Sequence, residues 1–103
     1  MEVSVPFIEN IHTKAYEAAS AENALNMSEW HKCNTTHCRA GWIVHLAGEN
    51  GYELERLTST PFAAMQIAKA SGNPIFPVRF YDDDKAALLD MKRMADLEKE
   101  VAK

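Results

Sequence analysis

The sequence predicts a single all-α domain over residues 1–103, built from four or five helices and a proline-containing extended connector. Three observations predict it. A chain of 103 residues has the size of one compact domain. Its apolar residues recur mostly at helical spacing. Its breakers Gly48, Gly51, Pro61, Gly72, Pro74 and Pro77 fall between the periodic runs. No internal repeat, low-complexity tract or long linker interrupts this pattern.

The first helix is expected to begin near Pro6, because proline's missing N–H has no partner in a first helical turn anyway. Ile8, Ile11, Ala15, Ala18 and Ala19 continue it at helical spacing. The pattern fades over "SAENALNMSEW", where Ala21, Leu25, Met27 and Trp30 are expected under a turn or a short helical piece. The second helix, over 36–48, is placed at the centre of the domain, with Thr35 or Thr36 as its cap. Cys38, Ala40, Trp42, Ile43, Leu46 and Ala47 give it an apolar surface too wide for one-sided burial. Gly41 is disfavoured in a helix interior by about 1 kcal/mol relative to alanine, so its position points to close approach by another helix. Gly48 and Gly51 offer stops, and "YELERLT" a further short helix.

The third helix has Thr60 as cap, Pro61 at its first position and Gly72 as its close. Phe62, Met65, Ile67 and Ala68 are expected to face inward. The prolines of "NPIFPVRFY" exclude a helix and weaken any strand, leaving an extended connector or an edge strand. The last helix starts in "YDDDK". Asp82 or Asp83 would cap it, and the other carboxylates suit the positive end of its dipole. Leu88, Met91, Met94, Ala95, Leu97 and Val101 would form its buried face.

The formal charge of −4 argues against a general affinity for nucleic acid, which requires a basic face. Lys92, Arg93 and Lys99 are interleaved with Asp90, Asp96, Glu98 and Glu100, so they form no basic stripe. No apolar run approaches bilayer length. "MEVSVPFIEN" carries Glu2 and Glu9 and lacks the basic start of a secretory signal. A cytoplasmic protein with no membrane partner is expected.

The chemistry-bearing residues crowd into "WHKCNTTHCRAGWIVHLAG", residues 30–48. His31, Cys33, His37 and Cys38 have the ligand types of a zinc site. Their spacing is poor, because four ligands crowd into eight residues and adjacent helical positions diverge by about 100°. Cys38 near a helix start would have a favoured thiolate, but a nucleophile needs a base within reach. His45 lies about 10 Å further along the same helix, which leaves His31 or His37. A Cys33–Cys38 redox pair requires Cys33 to sit in the loop before the helix. In the remaining reading Cys38 and Trp42 are core, since buried cysteine behaves as a small hydrophobe, and His45 is a satisfied, partly buried side chain.

Cys33, Thr35 or Thr36, Cys38, Ala40, Gly41 and Trp42, continued by His45, Leu46, Ala47 and Gly48, form a C-x-T-x-C-x-A-G-W type signature. The intercysteine gap is one residue longer than in the shortest form of that signature. With "ENIHTKAYEAAS" upstream and "PVRFYDDDKAALLDMKRMA" downstream, the chain resembles a family of small uncharacterised bacterial and phage or prophage proteins. The resemblance implies a mainly helical domain and a phage or mobile-element origin, where small proteins often bind host or phage proteins. It brings no activity and no catalytic residue. With no convincing dyad, phosphate loop or paired carboxylates, the leading expectation is a non-enzymatic protein-interaction module. Its partner would be another protein or a second copy in a homodimer, and no cofactor is expected. The alternatives are a zinc protein using His31, Cys33, His37 and Cys38, and a thiol-dependent enzyme or redox switch.

Overall fold

The computed structural model describes the backbone of residues 5–101 and the side chains of residues 5–100. Residues 1–4, residues 102–103 and the side chain of Val101 lie outside the described residues. Five helices dominate: α1 (Ile11–Ala19), α2 (Arg39–Leu46), α3 (Gly48–Leu57), α4 (Thr60–Ala70) and α5 (Asp84–Val101). A small antiparallel hairpin of β1 (His31–Cys33) and β2 (Thr36–His37) precedes α2, and a 3₁₀ turn (Pro77–Tyr81) precedes α5. The mostly helical single domain is as expected; the hairpin is not. Among the described residues no helix is long and apolar enough to cross a membrane.

α2 sits centrally, packed on α1, α3 and α4, while α1 lies along α5. Ile11, Ile43, Val44, Ala63, Ala64, Ile67 and Phe80 fill one part of the core, and Ala15, Ala19, Ala24, Trp42 and Met91 fill the other. The small residues of α1 and α4 let those helices pack closely on α2, and Trp42 packs among Ala15, Ala19, Ala24 and Met91. Its indole N–H donates to the Ala24 carbonyl at 2.7 Å, so its one polar atom is satisfied where it is buried.

Several element starts differ from expectation, each for a local reason. α1 begins at Ile11 and not near Pro6, after Asn10 in the left-handed region (φ 57°). Asn10 makes no side-chain cap. The cap comes instead from α5: the Glu98 carboxylate accepts the backbone N–H of His12 at 2.9 Å and of Thr13 at 2.7 Å. It also accepts the Thr13 hydroxyl and the Asn73 amide. A buried carboxylate is thereby matched to unpaired N–H groups at the positive end of a helix dipole. Thr35 and Thr36 do not cap α2, because the hairpin takes them. Cys38 is the cap residue, its sulfur accepting from Gly41 N–H at 3.3 Å. α4 is capped by Ser59 and not Thr60, and its Phe62 faces outward (44% exposed). Pro77 opens a 3₁₀ turn where a helix was excluded; proline at a first position loses no hydrogen bond. Asp83 caps α5 through Ala86 N–H at 2.8 Å, but Leu97 is exposed and Glu98 takes the buried place.

Arg39 and Asp90 form a buried ion pair at 2.6 Å between the start of α2 and the middle of α5. Burial alone would raise the Asp90 carboxyl, but the hydrogen bonds from Arg39 and Arg93 hold it below its ordinary value.

Gly41 is required by close approach, although the approaching segment is the chain before β1 and not another helix. A Cβ at residue 41 would lie 1.9 Å from the Trp30 carbonyl oxygen, a backbone atom. Gly41→Ala is therefore expected to lower stability by about 1–3 kcal/mol, although alanine is the better helix former. Urea denaturation measures this; an unchanged or raised midpoint would show that the hairpin yields without loss.

Candidate functional site

The hairpin turns at Asn34 and Thr35, so His31 pairs with His37 and Cys33 with Thr36 across the strands. Directly opposed residues bring their side chains together, which is why two histidines six positions apart meet. The hairpin is tied to the preceding segment as well: His37 N–H donates to Ala24 O, and Asn26 N–H to His37 O. The α3 helix supplies Tyr52 and Glu55, three positions apart and so on one face.

These residues form one network. The Nδ1 atoms of His31 and His37 lie 2.7 Å apart, and His31 Nε2 lies 2.6 Å from Glu55 Oε2. Thr60 donates its hydroxyl to the same Glu55 oxygen at 2.8 Å. His37 Nε2 lies 3.0 Å from the Asn34 carbonyl, so that nitrogen carries a hydrogen. His31 must then supply the proton between the two Nδ1 atoms if His37 is neutral. A further proton is needed between His31 and Glu55. Three protons are thus shared along the chain of contacts from the Asn34 carbonyl through the two rings to Glu55.

The surroundings of His37 favour its neutral form. It is buried, and burial pushes its pKa below the ordinary value against the opposing pull of the Asn34 carbonyl. It stacks on His45 at 4.6 Å between ring centres and meets the Trp42 ring edge-to-face at 4.6 Å. His45 Nδ1 lies 2.8 Å from the Tyr52 hydroxyl. Burial and the nearby Glu55 charge raise the Tyr52 pKa, so that hydroxyl stays protonated and can donate.

His31, Glu55 and Thr60 face a cleft of about 830 Å³, with Trp30, Tyr81 and Met27 on its walls. Trp30 and Tyr81 meet edge-to-face with ring centres 6.0 Å apart. A second hollow of about 490 Å³, lined by Asp82, Asp83, Asp84 and Lys85, shares Met27 and Ser28 with the first.

Of the four zinc-type residues His31, Cys33, His37 and Cys38, the structure joins only the two histidines. Cys38 is buried with its sulfur engaged by Gly41, and Cys33 is exposed beside Thr35. Among the described residues no group of three or more His, Cys, Asp and Glu side chains is placed to hold a metal ion. Two nitrogens bound to one tetrahedral zinc would stand about 3.3 Å apart; 2.7 Å is the spacing of a shared proton. The two thiols are opposites. Burial raises the Cys38 pKa, whereas hydrogen bonds from Thr35 and Thr36 bring that of Cys33 to about 7.

Compared with protein-family models, with curated proteins and with solved structures, the chain matches none. The fold and the site define a small α-helical domain with a histidine-bearing hairpin at the mouth of an aromatic-walled cleft.

Sequence reasoning found His31, His37 and His45 but missed Tyr52, Glu55, Thr60 and Tyr81. The three-residue spacing of Tyr52 and Glu55 was the one signal available. Nothing in the sequence pairs Tyr81 with Trp30.

Two outcomes follow from these ionisations. His12 is buried with Nε2 2.8 Å from the Asn73 carbonyl, and burial lowers its pKa as it does that of His37. A histidine depressed in the folded state contributes stability that is complete above its unfolded value of about 6.5 and is lost as pH falls below it. The urea midpoint is expected to drop between pH 7 and 5.5, and to drop less in His12→Gln, whose amide can donate without titrating. An equal drop in both proteins would remove His12 from the account. Separately, a native thiol titration is expected to label Cys33 readily and Cys38 only after denaturation; rapid labelling of both would show that the start of α2 opens.

Proposed function

We propose that this protein is a non-enzymatic interaction module that receives a partner protein in the cleft lined by Trp30 and Tyr81. One observation carries the reading: the cleft is walled by aromatic side chains that remain exposed (Trp30 37%, Tyr81 68%) beside a polar floor fixed by hydrogen bonds. Interfaces use such rings as anchors, because they bring large area with few rotatable bonds. Phe76 and Val78, at the start of the 3₁₀ turn that ends in Tyr81, are exposed as well.

The neighbouring chemistry supports binding over catalysis. Both ring nitrogens of His31 are engaged, so neither is free to take a substrate proton. Cys38 cannot serve as a nucleophile from the core, and the structure gives the Cys33 sulfur a threonine hydroxyl as its neighbour, which is no base. The phage or mobile-element likeness of the central motif fits a small binding protein, and a cytoplasmic setting suits two free thiols.

The test compares immobilised wild-type protein with Tyr81→Ala. Tyr81 is exposed, so its removal is expected to leave thermal unfolding within about 0.5 kcal/mol. A partner retained stoichiometrically by the wild type is expected to be lost from Tyr81→Ala. A partner held equally by both proteins would place the interface elsewhere and overturn the cleft reading. Sedimentation of the free protein shows whether that partner is a second copy.

A further inference from the structure

We propose that the His31–His37 pair is an acid-released latch. It seats the hairpin on α2 and α3 while three protons are shared along its chain of contacts, and a fourth proton unseats the hairpin. The device belongs to the free protein and does not depend on what the cleft binds.

The geometry sets how many protons the chain holds. His37 Nε2 carries a hydrogen for the Asn34 carbonyl at 3.0 Å, and one hydrogen lies between His31 Nε2 and Glu55 at 2.6 Å. One more lies between the two Nδ1 atoms, which are 2.7 Å apart. That separation is the length of a hydrogen bond with a single hydrogen in it. A fourth proton on the rings makes both of them imidazolium, with a hydrogen on every nitrogen. Two N–H groups then point at each other across the same gap, and the contact that joined the strands becomes a repulsion between like charges.

The neighbours decide where the strain is relieved. His37 is buried, its ring against His45 and Trp42 of α2. Burial, His45 and His31 oppose a charge on it, while the Asn34 carbonyl and Glu55 favour one. Cys38, the cap of α2, is a buried thiol whose raised pKa keeps it neutral. From α3, Tyr52 packs on His31 and His45 and is likewise held neutral by a raised pKa. Glu29 and Lys32, which share the cleft lining with His31, carry opposite charges. If His37 turned in place it would lose Asn34 and its stack on His45; if His31 turned it would lose Glu55. Lifting the hairpin instead gives the charged His37 water. Strands of three and two residues open at small cost. Trp30 and His31 leave the cleft wall with them. The closed form rejects the fourth proton and the open form accepts it, so acid favours the open form. The window begins below about 6.5, the ordinary value of a histidine.

Amide hydrogen exchange of the free protein, corrected for the intrinsic pH dependence of exchange, is the test. The amides of Asn26, His37 and Cys38 bond to His37, Ala24 and Trp30 and report the hairpin; those of Ala63 and Ser71 report the two ends of α4. Between about pH 7.5 and 5.5, hairpin protection is expected to fall about tenfold relative to α4, the effect of one proton taken up on opening. His31→Gln is expected to abolish this relative fall, because its amide offers His37 either an oxygen or an N–H and accommodates the charge. His12→Gln, which removes another buried histidine, is expected to keep it. Protection that falls in parallel in the hairpin and α4 of the wild type would overturn the proposal, as would a relative fall that survives in His31→Gln. Should His31→Gln not fold, ring nitrogen-15 spectra of the wild type decide. Charging of both rings is expected to coincide with the loss of hairpin protection, and two charged rings beneath unchanged hairpin amide signals would refute the latch. No partner is present in these measurements, so their failure would leave the interaction reading to its own test.

Discussion

The site depends on a backbone contact with no room to spare. The Trp30 carbonyl accepts the Cys38 N–H at 3.2 Å and lies where any side chain at residue 41 would have to go. This contact seats the hairpin on the first turn of α2. Trp30 is thereby held at the cleft wall, and His31, the next residue, starts the strand that faces His37. Because β1 and β2 are only three and two residues long, they could not hold their own register; a short isolated hairpin is marginal in water. Their register is set from outside, by α2 on one side and by the Ala24–Asn26 segment on the other.

The remaining helices keep α2 where this contact needs it. Arg39 anchors the start of α2 to Asp90 in α5, and Glu98 of the same helix caps α1. A buried ion pair adds little net stability, but removing one partner leaves a charge without compensation, at about 3–5 kcal/mol. Its effect is on geometry: α5 can slide relative to neither α1 nor α2 without exposing a carboxylate to an apolar surround. One Arg39 nitrogen, Nη2, is buried without a protein partner among the described residues, so the guanidinium is held through Nη1. The two carboxylates therefore convert a polar helix into the frame on which the hairpin is mounted.

The helices were legible because their signals are local. Periodicity and caps place α4 and α5 within a residue or two, and the breadth of apolar residues around Trp42 marks α2 as central. The hairpin was not legible. "HKCNTTH" has no glycine at its turn and no apolar alternation, the two features that usually announce a hairpin. Its threonines read equally well as helix caps, and only the long-range bonds to Ala24 and Asn26 decide against that. The α1 start was missed for the same reason, since its cap lies more than eighty residues away in sequence. The histidines could be named as candidates from composition, but their partner Glu55 comes from a helix that the sequence marks only as a charged surface.

The hydrogen bonds of the network separate its structural members from the one that meets solvent chemistry. His37 is spent on Asn34 and His31, and His31 on His37 and Glu55; His45 is stacked on His37 and engaged by Tyr52. His31 and His37, with both ring nitrogens engaged, are fixed in orientation, which suits support better than turnover, because a general base must have a nitrogen free to receive. The network ends at Glu55, whose Oε2 is held by His31 and Thr60 on the lining of the cleft.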